Sequence, residues 1–362
     1  MVVLHNFKFF FNAMFLFAFC EAWDLSHLGI TNYSVHHVSI LKNRVYLSIK
    51  IIDGLKNKVY PTLIDAPWPD NDSIFFKARA FPSKDFHHHR NCKYLQQVIS
   101  TDLDIRGRLW VLDEGSKDSI CSAKLMVINM YTSLVVQVYE FDERDLKFSS
   151  VLADPTLSQE KQSAYIGVSN ANVLFVCKLG EDMCNEYILS GERDDVSNTN
   201  TGLMSTEQIA ISKYDYTLYI TSPKFLPLFE ISLDLLRSEN LENNAVQVKV
   251  HYQGDKLGPS KGLLFDSGNG LNYYLPRDFA VVRWDNRKPL GAEGHSVLLQ
   301  SFELIPDVTQ LFSDQQGNIW ALLNKSTTSD NTHFSKNPFK STNFKKHPLS
   351  MCVKIFNYDQ FY

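Results

Sequence analysis

The sequence predicts an all-β chain folded as a six-bladed β-propeller of four-stranded antiparallel blades. Three observations carry that expectation. First, the chain repeats itself: Asp104–Leu112 (DIRGRLWVL) and Asp314–Leu322 (DQQGNIWAL) share the outline D-x-x-G-x-[LI]-W-[VA]-L. Second, weaker copies fall between and before them at even spacing. Aligning on the aromatic gives Tyr46, Trp110, Tyr165, Tyr219, Tyr273 and Trp320, with gaps of 64, 55, 54, 54 and 47 residues. Radial β repetition has this signature. Third, aromatics make up 13% of the chain, with 25 Phe and 16 Tyr, a composition that suits pleated, half-buried strands.

Taken in chain order, residues 1–20 read as a secretory leader. The apolar run Phe9–Phe19 is interrupted only by Asn12, and Ala18 and Cys20 supply small residues before a cut at Glu21. Eleven apolar residues rise roughly 16 Å as a helix, about half a bilayer core. Residues 21–362 are then expected to form one propeller domain, exported, with no membrane span after cleavage. Each unit opens on a turn and an inner strand around the aromatic: Lys42–Ile49, Asp104–Leu112, Ser163–Val168, Lys213–Thr221, Ser267–Leu275 and Asp314–Leu322. A tight turn at the Gly followed by a buried strand is the local meaning of the motif. Further strands follow at Lys124–Asn129, Asn172–Cys177, Pro227–Leu233, Phe279–Trp284 and Cys352–Asn357. Leu233–Leu241 is the best short helix. Thr327–Lys346, rich in Ser, Thr, Asn and Lys, reads as a long loop of the last blade.

Charge and cysteine content bound the function. Lys plus Arg is 36 against 40 for Asp plus Glu, a net −4, which argues against a nucleic-acid-coating chain. Beyond the leader lie five cysteines. Cys177 and Cys184 are close enough for a local bridge, Cys92 and Cys121 flank one strand pattern, and Cys352 is the odd one. Asn32, Asn71 and Asn324 open N-x-S/T sequons, candidate glycan sites in an exported chain. His87–His89 and the pair His36–His37 are read as polar surface residues and not as a metal site, because neighbours on an extended chain point to alternate faces. Asp113 and Glu114 are read as turn residues. No nucleophile elbow, H-E-x-x-H, P-loop or dinucleotide fingerprint is present, and no cofactor is expected.

The segments GRLWVLDEG (Gly107–Gly115), CSAKLMVINMYTS (Cys121–Ser133), GNIWALLNK (Gly317–Lys325) and VVRWDNRKP (Val281–Pro289) resemble the insect Yellow/major royal jelly protein family across essentially the whole chain after the leader. The resemblance implies a secreted six-bladed propeller. It also implies two alternative roles. One is a non-enzymatic protein that binds a small aromatic amine or catechol, or packs into an extracellular matrix such as cuticle or eggshell. The other is an enzyme that tautomerises dopachrome in melanin synthesis. By analogy with the family's amine-binding members, Thr309 and Asn324 would hold the ligand, with hydroxyl and amide groups suited to an ammonium or catechol. Glu207, opening the fourth repeat's inner strand, would be the catalytic carboxylate if the chain is an enzyme.

Overall fold

The computed structural model describes residues 19–20, 23–52, 58–68, 77–88, 91–116, 120–142, 146–157, 162–192, 204–238, 245–324 and 350–356. It is almost entirely β. The two-residue strand β1 (Phe19–Cys20) comes first. The next four, β2 (Tyr33–Leu41), β3 (Arg44–Ile51), β4 (Leu63–Pro67) and β5 (Arg79–Ala80), form one antiparallel sheet in chain order. So do β6 (Val98–Leu103), β7 (Arg108–Asp113), β8 (Lys124–Asn129) and β9 (Val135–Glu140).

An eight-stranded sheet follows. One half holds β10 (Phe148–Ala153), β11 (Ser163–Val168), β12 (Val173–Lys178) and β13 (Cys184–Glu192). The other holds β14 (Gln208–Ser212), β15 (Thr217–Thr221), β16 (Pro227–Ser232) and β17 (Ala245–Asp255). Each half is antiparallel. They join through their last strands, β13 and β17, which pair in parallel from Glu186↔Ala245 to Glu192↔His251. Between β16 and β17 lies the short helix α1 (Leu233–Arg237), whose first turn is capped by the Ser232 side chain accepting from Asp234 N–H. It ends earlier than the expected Leu241.

A further antiparallel sheet contains β18 (Lys261–Phe265), β19 (Gly270–Leu275), β20 (Ala280–Asp285) and β21 (His295–Gln300). The last contains β22 (Val308–Ser313), β23 (Ile319–Asn324) and β24 (Ser350–Phe356), with β1 added outside β24. Here Phe19 and Cys20, the end of the expected leader, lie opposite Val353 and Cys352.

The first strands of these units touch one another in a cycle: β2 with β6, β6 with β10, β10 with β14, β14 with β18, β18 with β22, and β22 back with β2. The arrangement is propeller-like, with the strands standing around an axis. One detail of the sequence expectation is corrected. The aromatic of each repeat lies on the second strand, not the innermost: Trp110 on β7, Tyr165 on β11, Tyr219 on β15, Tyr273 on β19 and Trp320 on β23. The axis is lined by the strand before the turn.

The repeated motif has a structural job that its chemistry explains. In the β6–β7 turn, Asp104 Oδ1 accepts from the N–H groups of Arg106 (2.8 Å) and Arg108 (3.1 Å), while Oδ2 accepts from Arg108 Nε (2.6 Å) and the indole Nε1 of buried Trp110 (3.0 Å). Asp314 does the same for Gln316 N (3.0 Å), Asn318 N (2.9 Å) and Trp320 Nε1 (2.8 Å). Asp266 caps its turn through Gly268 N and Gly270 N, both at 2.9 Å, and bonds Asn272. Asp154 binds Thr156 N (2.9 Å) and the Tyr165 hydroxyl (2.8 Å). One carboxylate thus satisfies the turn amides and the polar edge of the buried ring at once. Gly107, at φ +70°, supplies the left-handed backbone that this turn needs.

Two disulfides form, Cys92–Cys121 and Cys177–Cys184, both among the candidate pairs of the sequence. Cys352 is buried. His87 departs from expectation: it is buried, its Nδ1 accepts from Thr62 N–H (3.3 Å), and its Nε2–H faces the Phe81 carbonyl (2.9 Å). Burial pushes its pKa down to about 4, so it is a neutral core residue and not a surface one. Asp113 is also buried, accepting from Gln96 N, Gln97 N and Gly115 N. Among the described residues no helix is long and apolar enough to cross a membrane, and no cluster of ligating side chains could hold a metal ion.

Candidate functional site: the mouth of the inner-strand ring

Five of the six inner strands carry an irregularity near their first residues. The ladder slips at His36 on β2, at Ile99 on β6, at Ser149 on β10, at Gly262–Leu263 on β18 and at Thr309 on β22. A bulge adds one residue on one strand and re-aims its side chain. Gly262 shows why the sequence permits this: its φ is +69°, and an added Cβ would lie 2.8 Å from Leu311 N. The sixth strand, β14, has a regular ladder, and Glu207 immediately precedes it. The bulges therefore define one end of the ring, opposite the Asp-capped turns.

This end gathers two of the predicted residues. Thr309 is half-buried, and its hydroxyl donates to the Leu322 carbonyl (3.2 Å). Glu207 is half-buried as well. Its backbone carbonyl accepts from Ser150 Oγ (3.4 Å), and its carboxylate makes no hydrogen bond or ion pair among the described residues. Asn324 ends β23 opposite Ser350; its side chain lies outside the described residues. Asn71 and residues 327–346 lie outside them too. Asn32 is described and half-buried, just ahead of β2.

Sequence reasoning missed several groups at the same end. Lys261 Nζ pairs with Asp307 Oδ1 at 2.7 Å across the β18–β22 seam, both side chains 39% exposed. The Ser149 hydroxyl and the Gln208 Oε1, on neighbouring inner strands, are buried atoms with no hydrogen-bond partner. Lys256 is buried, and its ammonium donates to Thr221 Oγ1 (2.7 Å), Ser260 Oγ (2.8 Å) and Ser222 O (3.1 Å). Burial brings its pKa down to about 7. None of these groups belongs to a repeated motif, so periodicity could not flag them.

Along the axis, polar side chains stitch each inner strand to the next. The Gln310 amide accepts from Val38 N–H (2.8 Å) and donates to Val38 O (3.2 Å), which fixes its orientation; the same nitrogen lies 3.0 Å from His37 Nε2. Thr101 N–H approaches the other ring nitrogen at 3.4 Å. Burial depresses the His37 pKa to about 4, and a neutral imidazole accepts at one nitrogen only, so just one of these two donors is bonded at a time. Ser39 Oγ bonds Thr101 O (2.9 Å), Ser100 Oγ accepts from Val151 N–H (3.1 Å), and Asp102 Oδ2 accepts from Ala153 N–H (2.8 Å). Asp102 is half-buried, and desolvation raises its pKa to about 7, against the pull of its backbone donors and of Lys213.

An all-β ring of this kind, with a polar axis and one end built from bulges, defines a propeller-like protein. The chain belongs to the major royal jelly protein family, whose model matches residues 96–184 and 187–350. No curated protein matches it. Among solved structures, a catalytically inactive variant of virginiamycin B lyase from Staphylococcus aureus, with quinupristin, is similar at TM-score 0.50. It shares 11% identity over 84% of this chain and 81% of that one. The structure of U3-55K is similar at TM-score 0.47 and 9% identity, over 94% and 98% of the two chains. The first likeness bears on the fold alone.

Proposed function

We propose that this protein is a secreted, Yellow-like six-bladed propeller that binds a small aromatic amine or catechol in its central channel. The blade count rests on treating the eight-stranded sheet as two blades joined at β13 and β17, which accords with six inner strands in one cycle. Export is supported by the apolar leader and by two disulfides. Cleavage before Glu21 removes β1, so N-terminal sequencing of the exported chain tests the leader directly.

The observation that carries the binding reading is the convergence at the mouth. Bulged Thr309 and the Glu207 carboxylate, both half-buried, place a hydroxyl and an acid at one end of a ring of inner strands. A pocket with a few convergent polar groups is where a small ligand gains orientation. The test is calorimetric titration with catechols and aromatic amines. Saturation near one equivalent supports the reading, and silence across the panel overturns it. A matrix role in cuticle or eggshell is the fallback that silence would leave.

One observation favours a second reading, dopachrome tautomerisation. That reaction moves a proton within an oxidised catechol, and Asp102, a half-buried carboxyl on an innermost strand with two backbone N–H donors, is placed for such work. Dopachrome decay followed by absorbance separates the two: an enzyme turns over many equivalents, a binder does not.

A further inference from the structure

We propose that a small organic ammonium ion is held in the channel by Asp102, at the turn end of the inner-strand ring and away from Thr309. This rests on the binding reading above and names the charge that reading requires. The observation is a contrast among carboxylates. Five are buried among the described residues, and each has a cation: Asp65 with Arg44 (2.6 Å) and Arg79 (2.9 Å), Asp104 with Arg108 (2.6 Å), Asp113 with Lys124 (3.9 Å), Asp154 with Arg237 (2.7 Å), and Asp266 with Arg283 (2.6 Å). Asp102 alone stands on an innermost strand, and it has no ion pair among the described residues. Its two oxygens accept one backbone N–H each, from Leu103 (2.9 Å) and Ala153 (2.8 Å).

The geometry places this carboxyl between two neighbouring inner strands, β6 and β10. Val151 and Ala153 turn their N–H groups away from β11 and toward the side chains of β6. Asp102 therefore covers the inner edge of β10 while staying partly open to solvent. A carboxylate has about four acceptor positions, and two are used. The groups around it do not neutralise it. Lys213, from the β14–β15 turn, is exposed and beyond ion-pair distance; Asp104 from its own hairpin repels; β10 presents Ala153; and β2 brings neutral His37 against Thr101. A carboxylate partly withdrawn from water without a cation is disfavoured, and its pKa rises until a cation arrives. A ligand ammonium supplies that cation, with charge-assisted N–H···O bonds. The exchange balances: the protonated carboxyl gives its proton to solvent, and carboxylate and ammonium pair.

The test uses two probes that share a ring and differ in the amine, tyramine and 4-ethylphenol, titrated calorimetrically at pH 6 and pH 8. Tyramine is expected to bind more tightly at pH 8. Near pH 6.5, in buffers of different ionisation heat, its binding should release up to one proton, as linkage requires. Asp102→Asn should weaken tyramine at least tenfold and 4-ethylphenol less than twofold, and Asp102→Glu should recover part of the loss. The proton count needs only the unaltered protein, so a variant that misfolds does not block the test. Equal binding of both probes without proton release overturns the ammonium site and leaves the binding reading intact. Failure of both probes to bind the folded protein overturns both readings, and binding of 4-ethylphenol without tyramine overturns the ammonium site alone.

Discussion

Asp102 and Asp104 sit two residues apart on one chain and live in opposite circumstances. Asp104 belongs to the ring of turns: it is buried, paired with Arg108, and bonded to two turn amides and an indole. Asp102 belongs to the axis, where only two backbone N–H groups meet it. The turn is built from contacts within six residues, so it can be repeated, and Asp314 repeats it closely. The axis is built from contacts between units, so each position is its own case: Gln310 grips Val38, Ser100 meets Val151, Lys261 meets Asp307. The lesson is that the conspicuous motif of this sequence maintains the fold, while the residues with uncommitted chemistry lie outside it.

Four predictions bear on that contrast. The largest effect is expected from Asp104→Ala, which strands the Arg108 guanidinium and the Trp110 N–H in the interior. Unfolding in denaturant should show a loss of about 3–5 kcal/mol, and a loss below about 1 kcal/mol would end the claim that the turn carboxylates hold the blades. Opening the Cys92–Cys121 bridge, which spans 29 residues, should cost about 3.6 kcal/mol by chain entropy, against about 2.4 for the 7-residue Cys177–Cys184 loop. Serine pairs at each site, compared by thermal unfolding, check that ranking.

Asp102→Asn should move the other way. The folded pKa, about 7, lies above the unfolded carboxylate value. The folded state therefore holds the extra proton, and stability falls as pH rises from about 4 to 7. Removing the charge should restore about 1–2 kcal/mol above pH 7, after the loss of one acceptor for a backbone N–H, and nothing below pH 4. A variant that is less stable at pH 8 would place Asp102 with the structural aspartates. The smallest effect is expected at the mouth: Glu207→Gln should change stability by less than about 0.5 kcal/mol while altering ligand titrations. A large stability loss there would turn Glu207 into a framework residue.

Much of the architecture was legible before the structure. Alternating apolar patterns around a repeated Asp, Gly and aromatic mark strand, turn and buried ring, because those signals are local. Lys124–Asn129 is recovered as β8 to the residue, and both disulfides form between candidate pairs of the sequence. Thr309 and Glu207 lie near the first residues of β22 and β14. The signal for Asp102 was present as well, in Thr101-Asp102-Leu103-Asp104, since residues i and i+2 share a face of a strand; nothing local says that one of them would be paired and the other left.

What the sequence by itself determined is the type of each unit: a tight turn at the Gly and a buried strand that carries Trp110 or Trp320 to the interior. Tertiary structure alone decided the rest. It set the aromatic strand second and the preceding strand on the axis, joined β13 to β17 in parallel, buried His87, and aligned five bulges at one mouth. Those outcomes depend on which strand edges meet when the ring closes. Contacts between residues tens to hundreds of positions apart, such as Val38 with Gln310, leave no period in the sequence to read.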